Sequence, residues 1–267
     1  MIVACGCVRQ GQRCAVADRR LAVAAGLDVA EVPSDERVAA RRGSAGTRLF
    51  ADASGEPLLA APGMLIDVRG RRVLPLRLAG VGSAVGLDDG QWLAATDGAI
   101  HLMRGPARVS SLRVASPGVP VRVAPAGAIV SYVAAGSTLA LIDPTGRLRP
   151  LGRFRSPITA VAGTGDLGFV ALESGTVWML RVGARPRAVH RHHGPIGAMA
   201  LDPAGYLVFS DESTIFTLLG GRPVPLVAGL PRAQLAASLD GVYAYSAPQR
   251  RLLSLRNLVA VEAAVAR

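Results

Sequence analysis

The chain has 267 residues, of which half are hydrophobic and 18% are charged. This composition excludes a fully disordered chain. The absence of a Gly-X-Y period and the presence of only three cysteines exclude collagen-like and disulfide-framework proteins. The sequence contains no uninterrupted run of about 18 apolar residues, so it predicts no transmembrane helix. The net charge of +11 points to a polyanionic partner, so the distribution of that charge is the first question.

The basic residues are all arginine, and they are dispersed along the chain. With abundant Ala, Gly, Pro, Val and Leu and a single asparagine, Asn257, this usage is typical of a GC-rich, bacterial coding bias. Residues 1–45 carry a net charge of +2 and residues 46–267 a net charge of +9, with no run of five or more basic residues. The charge is therefore expected to be mainly solvated surface arginine, with a polyanion-binding rim as the alternative.

A repeat of 37 or 38 residues organises residues 46–267. Its units begin near residues that recur at this spacing: Gly46, Ala84, Val121, Ile158, Ile196 and Ala233. Each unit contains four short runs separated by turns, and many of these turns carry the Gly that tight hairpins need. Runs of three to five apolar residues are too short for helices, so each unit is predicted to be a four-stranded antiparallel blade.

The sequence therefore predicts an all-β fold, a six-bladed β-propeller of four-stranded blades. The blades are expected at about 46–83, 84–120, 121–157, 158–195, 196–232 and 233–267. The fourth run of each unit carries Arg and Pro, which is typical of an exposed outer edge strand. Residues 1–45 are expected to lie outside the repeat. There, Ala15–Ala25 are predicted to form a small helix ended by Gly26, with a second helical turn from Ser34 to Arg42.

The most regular unit contains Ala-Met-Ala-Leu-Asp-Pro-Ala-Gly-Tyr-Leu-Val-Phe-Ser-Asp at residues 198–211. This stretch resembles an NHL-type propeller repeat, which pairs a first strand ending in Asp-x-x-Gly with a second strand ending in Asp. Residues 85–90 and 239–241 are similar to the first half of that pattern. The resemblance implies a propeller, but it implies little about activity, because propellers include enzymes, lectins and scaffolds.

The order of strands predicts which side chains share one face of the propeller. The turns between the second and third strands and the connections between blades emerge together, on what we call the connection face. In propellers this face commonly surrounds the mouth of a central channel that is used for ligands. The candidate ligand or partner residues on it are Asp97, Glu173, Asp211 and Glu212 from the turns, and Arg153, Arg155, His190, His192, His193 and Arg232 from the connections.

The three histidines of this set admit two interpretations. A His-x-His-His cluster facing acidic turns could bind a metal or supply a general base. Adjacent histidines in one loop, without a second ligand cluster, are also typical of a polar surface loop. The fourth histidine, His101, lies in a third run and is expected to be a packed strand residue.

Six-bladed lactonases and gluconolactonase-like hydrolases resemble the predicted architecture. That resemblance implies a channel calcium held by Glu, Asp and Asn oxygens. The chain has one asparagine and few acids in its predicted inner strands, whereas calcium takes six to eight oxygen ligands. No Gly-x-Ser-x-Gly or P-loop motif is present, so no catalytic residue is assigned.

All three cysteines, Cys5, Cys7 and Cys14, lie in the N-terminal segment. Their thiolates could hold zinc or an iron–sulfur cluster, and free thiols that are buried or redox-active are the alternative. Residues 2–5 resemble a lipobox, but only four residues precede Cys5. Without a charged start and an apolar segment the chain as written carries no export signal, and a cytoplasmic protein is expected. An exported lipoprotein would need a start upstream.

The sequence favours a non-enzymatic binding module that docks another protein through its rims and connection face. The first alternative is a divalent-metal-dependent hydrolase or lactonase. The second is polyanion binding through Arg-rich outer strands and turns, namely Arg147, Arg149, Arg153, Arg155, Arg185, Arg187 and Arg191. Nucleic acid is the less expected partner, because no pattern indicates aromatic stacking of bases. The sequence does not specify an oligomeric state.

Overall fold

The computed structural model describes residues 2–4, 22–32, 46–127, 130–143, 145–181 and 183–266. Their strands are numbered in chain order. Before the first repeat come β1 (Ile2–Ala4), β2 (Ala22–Ala24) and β3 (Asp28–Glu31). Blade 1 contains β4 (Arg48–Ala51), β5 (Pro57–Ala61), β6 (Met64–Asp67) and β7 (Arg72–Pro75). Blade 2 contains β8 (Ser83–Gly86), β9 (Gln91–Thr96), β10 (Ala99–Arg104) and β11 (Ala107–Arg113). Blade 3 contains β12 (Val121–Pro125), β13 (Ser131–Ala135), β14 (Thr138–Ile142) and β15 (Leu148–Arg153).

The second half of the ring is built in the same way. Blade 4 contains β16 (Ile158–Thr164), β17 (Leu167–Leu172), β18 (Thr176–Arg181) and β19 (Arg187–Arg191). Blade 5 contains β20 (Ala198–Leu201), β21 (Leu207–Ser210), β22 (Thr214–Leu219) and β23 (Arg222–Ala228). Blade 6 contains β24 (Gln234–Ala237), β25 (Val242–Ser246) and β26 (Arg251–Arg256). The helix α1 (Leu258–Val265) follows, and no helix of the described residues is long and apolar enough to cross a membrane.

The first strand of each blade lies innermost, and these strands form a closed ring. Neighbouring first strands contact one another in the order β4, β8, β12, β16, β20 and β24, and β24 contacts β4 again. The fourth strands lie outermost in every blade except blade 5, and β11 and β15 are largely exposed. The prediction of a six-bladed propeller is thereby confirmed.

A hydrophobic cluster fills each of the six interfaces between neighbouring blades. Between blades 1 and 2, for example, Phe50 stacks on Trp92 with ring centroids 4.8 Å apart. Since each blade is apolar on both faces, burial against two neighbours drives the ring to close.

The N-terminal segment differs from the sequence expectation. Ala22–Ala24 form a strand, β2, that pairs with β23 of blade 5, and β1 pairs with β2 in turn. Pairing with the free edge of β23 outweighs the helix propensity of alanine here. Residues 15–21 of the expected helix and the whole of the second one lie outside the described residues.

The strand β3 completes blade 6, although residues 28–31 were expected to lie outside the repeat. It pairs antiparallel with β26, with Val29 opposite Leu255 and Glu31 opposite Leu253. Blade 6 therefore combines β24, β25 and β26 with a strand that precedes blade 1 in the sequence. The hydrogen bonds between β3 and β26 close the propeller non-covalently.

Helix α1 covers the turn between β2 and β3, a feature that the sequence analysis did not predict. Its Leu258 and Val261 are buried with Leu27 in the cluster between blades 5 and 6. The Tyr206 hydroxyl donates a hydrogen bond to the Glu262 carboxylate. The helix begins after Asn257, which has a φ of 66°, a left-handed conformation that asparagine tolerates better than most residues.

The Asp-x-x-Gly pattern builds hairpin turns. The Asp202 carboxylate accepts the Tyr206 N–H at 2.7 Å, while the Gly205 N–H donates to the Asp202 carbonyl at 2.9 Å. The Asp52 turn has the same two bonds, from Glu56 and Gly55. Burial raises the pKa of Asp202, and hydrogen bonds from backbone N–H groups oppose that rise. These aspartates are structural.

Candidate functional site

A cavity of about 1110 Å³ lies inside the ring of first strands. It reaches the connection face at Gly46 and Arg232 and the opposite face at Asp52 and Asp88. Consecutive residues of the inner strands line it, for example residues 48–51 of β4 and 83–86 of β8. Small residues such as Ala51, Gly86 and Ala237 leave it open.

Polar side chains gather at the connection-face end of the channel. They are the first or second residues of five inner strands, and we call them the polar ring: Arg48, Ser83, Arg122, Thr159 and Gln234. All five are half-buried. Blade 5 contributes no polar residue at this level, because its inner strand begins with Ala198.

Three members of the polar ring hold the backbone together. The side-chain Oε1 of Gln234 accepts the Leu49 N–H at 2.8 Å and its Nε2 donates to the Thr47 carbonyl at 2.8 Å, which joins blade 6 to blade 1. The Ser83 hydroxyl exchanges two hydrogen bonds with the Val123 backbone, both 3.2 Å long, which join blade 2 to blade 3. The Thr159 hydroxyl donates to the Ala171 carbonyl at 3.4 Å, within blade 4.

The two arginines of the ring have no carboxylate partner among the described residues. Arg48 donates from Nε to the Gly82 carbonyl at 3.0 Å and from Nη1 to the Thr47 carbonyl at 3.3 Å. The Nε of Arg122 is buried and finds no acceptor among the described residues. Burial and the positive charge of Arg48 lower the pKa of Arg122. A guanidinium stays protonated at neutral pH, so two like charges share the channel mouth.

Three of the ten sequence-predicted residues line the channel, and they lie on the side opposite blade 2. Asp211 and Glu212 occupy the turn between β21 and β22, and Arg232 precedes β24. The Asp211 Oδ1 accepts hydrogen bonds from the N–H groups of Ser213 and Thr214, at 3.0 and 2.9 Å. This carboxylate therefore stabilises the turn in which it lies. Glu212 and Arg232 are exposed, and the Arg232 N–H donates to the Glu212 carbonyl at 2.8 Å.

Five other predicted residues are exposed but do not line the channel. Asp97 and Glu173 lie in turns between second and third strands, as expected. Arg153 ends β15 and donates from Nε to the Ser137 hydroxyl at 3.2 Å. Arg155 and His193 lie in blade connections.

His190 and His192 are packing residues. His190 lies on the outer strand β19, and not in the blade connection where the sequence analysis placed it. The His192 ring contacts Phe209 and Phe216, with centroid distances of 5.4 Å each, and its Nε2 is 3.4 Å from the Asp211 carboxylate. Burial and the nearby His192 lower the pKa of His190, which favours its neutral form.

His101 is buried and fully hydrogen-bonded, as expected for a packed strand residue. Its two ring nitrogens lie 3.0 Å from the Thr96 hydroxyl and 2.8 Å from the Ser111 hydroxyl. Burial, with a smaller effect of Arg108, lowers its pKa.

The donor set of the channel does not fit a divalent cation. Within the part of the chain that the structure describes, no three His, Cys, Asp or Glu side chains gather to hold a metal. The polar ring instead supplies guanidinium groups, which donate hydrogen bonds and repel cations. Cys5, Cys7 and Cys14, the predicted zinc or iron–sulfur ligands, lie outside the described residues.

The sequence analysis missed Arg48 and Arg122. Each is the lone charged residue in the first run of its unit, in Thr-Arg-Leu-Phe-Ala and Val-Arg-Val-Ala respectively. Because the first strand of a propeller blade is the innermost, a charged residue at this position signals a channel-facing group.

Six sheets around a central channel define the chain as a six-bladed β-propeller. The solved structures include a similar one, a luciferin-regenerating enzyme, with a TM-score of 0.65 and 11% sequence identity over 87% of this chain and 96% of that one. At this identity the likeness shows the fold alone. No protein-family model and no curated protein matches the sequence, so the similarity to NHL repeats stays a resemblance.

Proposed function

We propose that the protein is a non-enzymatic binding module that recognises a partner protein through its connection face. The observation that supports this most directly is a set of exposed charges on the connection face. Asp97, Glu173, Glu212, Arg155 and Arg232 are exposed and form no ion pair with another described residue. Uncommitted charges of both signs on a rigid scaffold are suited to orienting a partner of complementary charge.

The partner is expected to contact the connection face and not the opposite face. Blade 4 offers a matched pair of exposed acids, because Glu173 lies in its connection-face turn and Asp166 in its opposite turn. A photo-crosslinking residue at Glu173 or Glu212 should capture the same partner, and one at Asp166 should not.

The captured protein is then purified and its affinity measured. The double variant Glu173→Arg with Glu212→Arg should bind it more weakly by about tenfold or more, and Asp166→Arg should bind like the unaltered protein. Equal capture from Asp166, or equal affinity of the double variant, would refute the proposed face.

The hydrolase alternative is supported by the fold it shares with a luciferin-regenerating enzyme. A channel metal would supply Lewis-acid activation in such an enzyme, but Arg48 and Arg122 occupy the mouth of the channel. Turnover of an ester or lactone panel that requires calcium would establish the hydrolase in place of the binding module.

A further inference from the structure

We propose that the channel mouth contains a binding site for the oxyanion group of a small ligand, built from Arg48 and Arg122. This site goes beyond the proposed docking function, because it lies inside the cavity and takes a carboxylate or phosphate group. The two arginines belong to blades 1 and 3, and the inner strand β8 of blade 2 lies between them.

The fold orients Arg48 without neutralising it. Both of its described hydrogen bonds go to backbone carbonyls, those of Gly82 and Thr47. These contacts engage Nε and Nη1, which leaves Nη2 for a ligand. Such a fixed guanidinium loses little conformational freedom when it binds an anion.

Arg122 carries a half-buried positive charge that no carboxylate of the described residues pairs with. Its Nε is buried and has no hydrogen-bond acceptor among the described residues. Half-buried charges are normally paired, because desolvation without a counter-charge costs free energy. A carboxylate or phosphate would provide both the counter-charge and the acceptors, in charge-assisted hydrogen bonds.

The neighbouring side chains make room for the ligand and do not compete for the arginines. Ser83, Thr159 and Gln234 are already bonded to the backbone. Below them, Ala51, Ala84 and Ala237 line the channel with small side chains. The acids at the mouth, Asp211 and Glu212, belong to blade 5, on the opposite side of the ring from β8. The cavity of about 1110 Å³ is large enough for a small ligand that carries the oxyanion.

The test is calorimetric titration of the full chain with inorganic phosphate and, separately, with succinate, in a buffer free of other oxyanions. We expect at least one of them to bind with one-to-one stoichiometry. Phosphate binding alone identifies a phosphorylated ligand, and succinate binding alone identifies a carboxylate. Absence of heat with both probes up to about 10 mM would refute the site.

Three variants separate the site from the general positive charge. Arg122→Gln should weaken binding by about tenfold or more, and Arg122→Lys by less, because it keeps the charge and loses the planar fork. Arg149→Gln removes one charge from the exposed outer strand of the same blade and should bind like the unaltered protein. Equal affinities of Arg122→Gln and the unaltered protein would overturn the proposal. This titration uses no partner protein, so its failure leaves the proposed docking function standing.

Discussion

Arg122 is a residue whose environment favours ligand binding at the expense of stability. Its half-buried charge faces Arg48 and has no counter-charge among the described residues. Replacement of such a charge by an uncharged chain of similar length removes the desolvation cost and the like-charge repulsion. Arg122→Met is therefore expected to raise the free energy of unfolding by about 1 kcal/mol, as measured by urea denaturation without oxyanions.

The control for this prediction is Arg149→Met, which removes an exposed charge from blade 3. It should change the free energy of unfolding by less than about 0.5 kcal/mol. A marked loss of stability in Arg122→Met would show that the Arg122 side chain is a structural element, and would contradict the interpretation of its unpaired charge.

His101 makes the stability of the fold dependent on pH. Burial lowers its pKa below the usual value of 6.5, with a smaller effect of Arg108, and His190 shifts in the same direction. The stabilisation is present above pH 6.5. As the pH falls below that value, the unfolded chain binds protons that the folded chain resists, so stability decreases toward the folded-state pKa.

Unfolding in urea at about pH 7.5 and about pH 5.5 measures this effect. The free energy of unfolding should be lower at the acidic pH. His101→Gln, whose amide can still bond the Thr96 and Ser111 hydroxyls, should reduce the difference, while His190 retains its share. An unchanged difference in this variant would show that other groups titrate.

Residues whose role is local were the easiest to interpret from the sequence. The Asp-x-x-Gly turns at Asp52 and Asp202 depend on contacts within five positions, which the pattern contains. The roles of Arg48 and Arg122 depend on a ring of strands far apart in sequence. The histidine cluster could be recognised in the sequence, but the packing of His190 on Phe209 depends on contacts between blades 4 and 5.

The strand β3 determines how the ring closes. The Val32 N–H donates to the Leu252 carbonyl at 2.9 Å, and bonded and non-bonded pairs alternate along an antiparallel ladder. The Ala30 N–H therefore faces β26, while the Glu31 N–H faces away. Since β3 is the outermost strand of blade 6, a proline at position 31 meets no partner strand.

Ala30→Pro is expected to lower the free energy of unfolding by about 2 kcal/mol, because it removes a ladder hydrogen bond and leaves a carbonyl of β26 unpaired. Glu31→Pro, one residue away, should lose less than about 1 kcal/mol. Urea denaturation of both variants measures the difference. Equal losses would mean that β3 contributes no ladder bonds to closure.

The β2–β3 turn and helix α1 form a second closing element. Gly26 has a φ of 83°, and a Cβ at this position would lie 2.9 Å from the Ala260 carbonyl oxygen of the helix. Gly63 has a similar φ of 75° with nothing near its Cβ position. Gly26→Ala should therefore destabilise the protein by about 2 kcal/mol, and Gly63→Ala by about 1 kcal/mol from backbone strain alone.

The difference between these two variants, measured by thermal and urea unfolding, isolates the contact of α1 with the turn. If both variants lose the same free energy, the helix does not constrain the N-terminal strands. This contact could not be predicted from the sequence, because Gly26 equally suited the end of a helix over Ala15–Ala25. The pairing of β2 with β23 joins residues about 200 positions apart, which local propensity does not report.

At the scale of the whole molecule, periodicity was the most informative property of the sequence. A repeat of 37 or 38 residues encodes a blade with two apolar faces, and six such blades make six apolar interfaces. The net charge was less informative, since outer strands such as β15 and β19 carry exposed arginines away from the channel. The net charge did not distinguish the two arginines of the polar ring from the other 28 arginines of the chain.

The charge of the channel mouth leads to a prediction about metals. Because the polar ring contains two arginines and no three His, Cys, Asp or Glu side chains gather among the described residues, calcium should not stabilise the fold. A calcium-selective chelator should leave the melting temperature unchanged within about 1 °C, and millimolar calcium should not raise it. Phosphate, in contrast, should raise the melting temperature of the unaltered protein and not that of Arg122→Gln. Calcium-dependent stabilisation would instead require oxygen ligands in the channel and would favour the hydrolase, so one set of melting curves separates the two interpretations of this propeller.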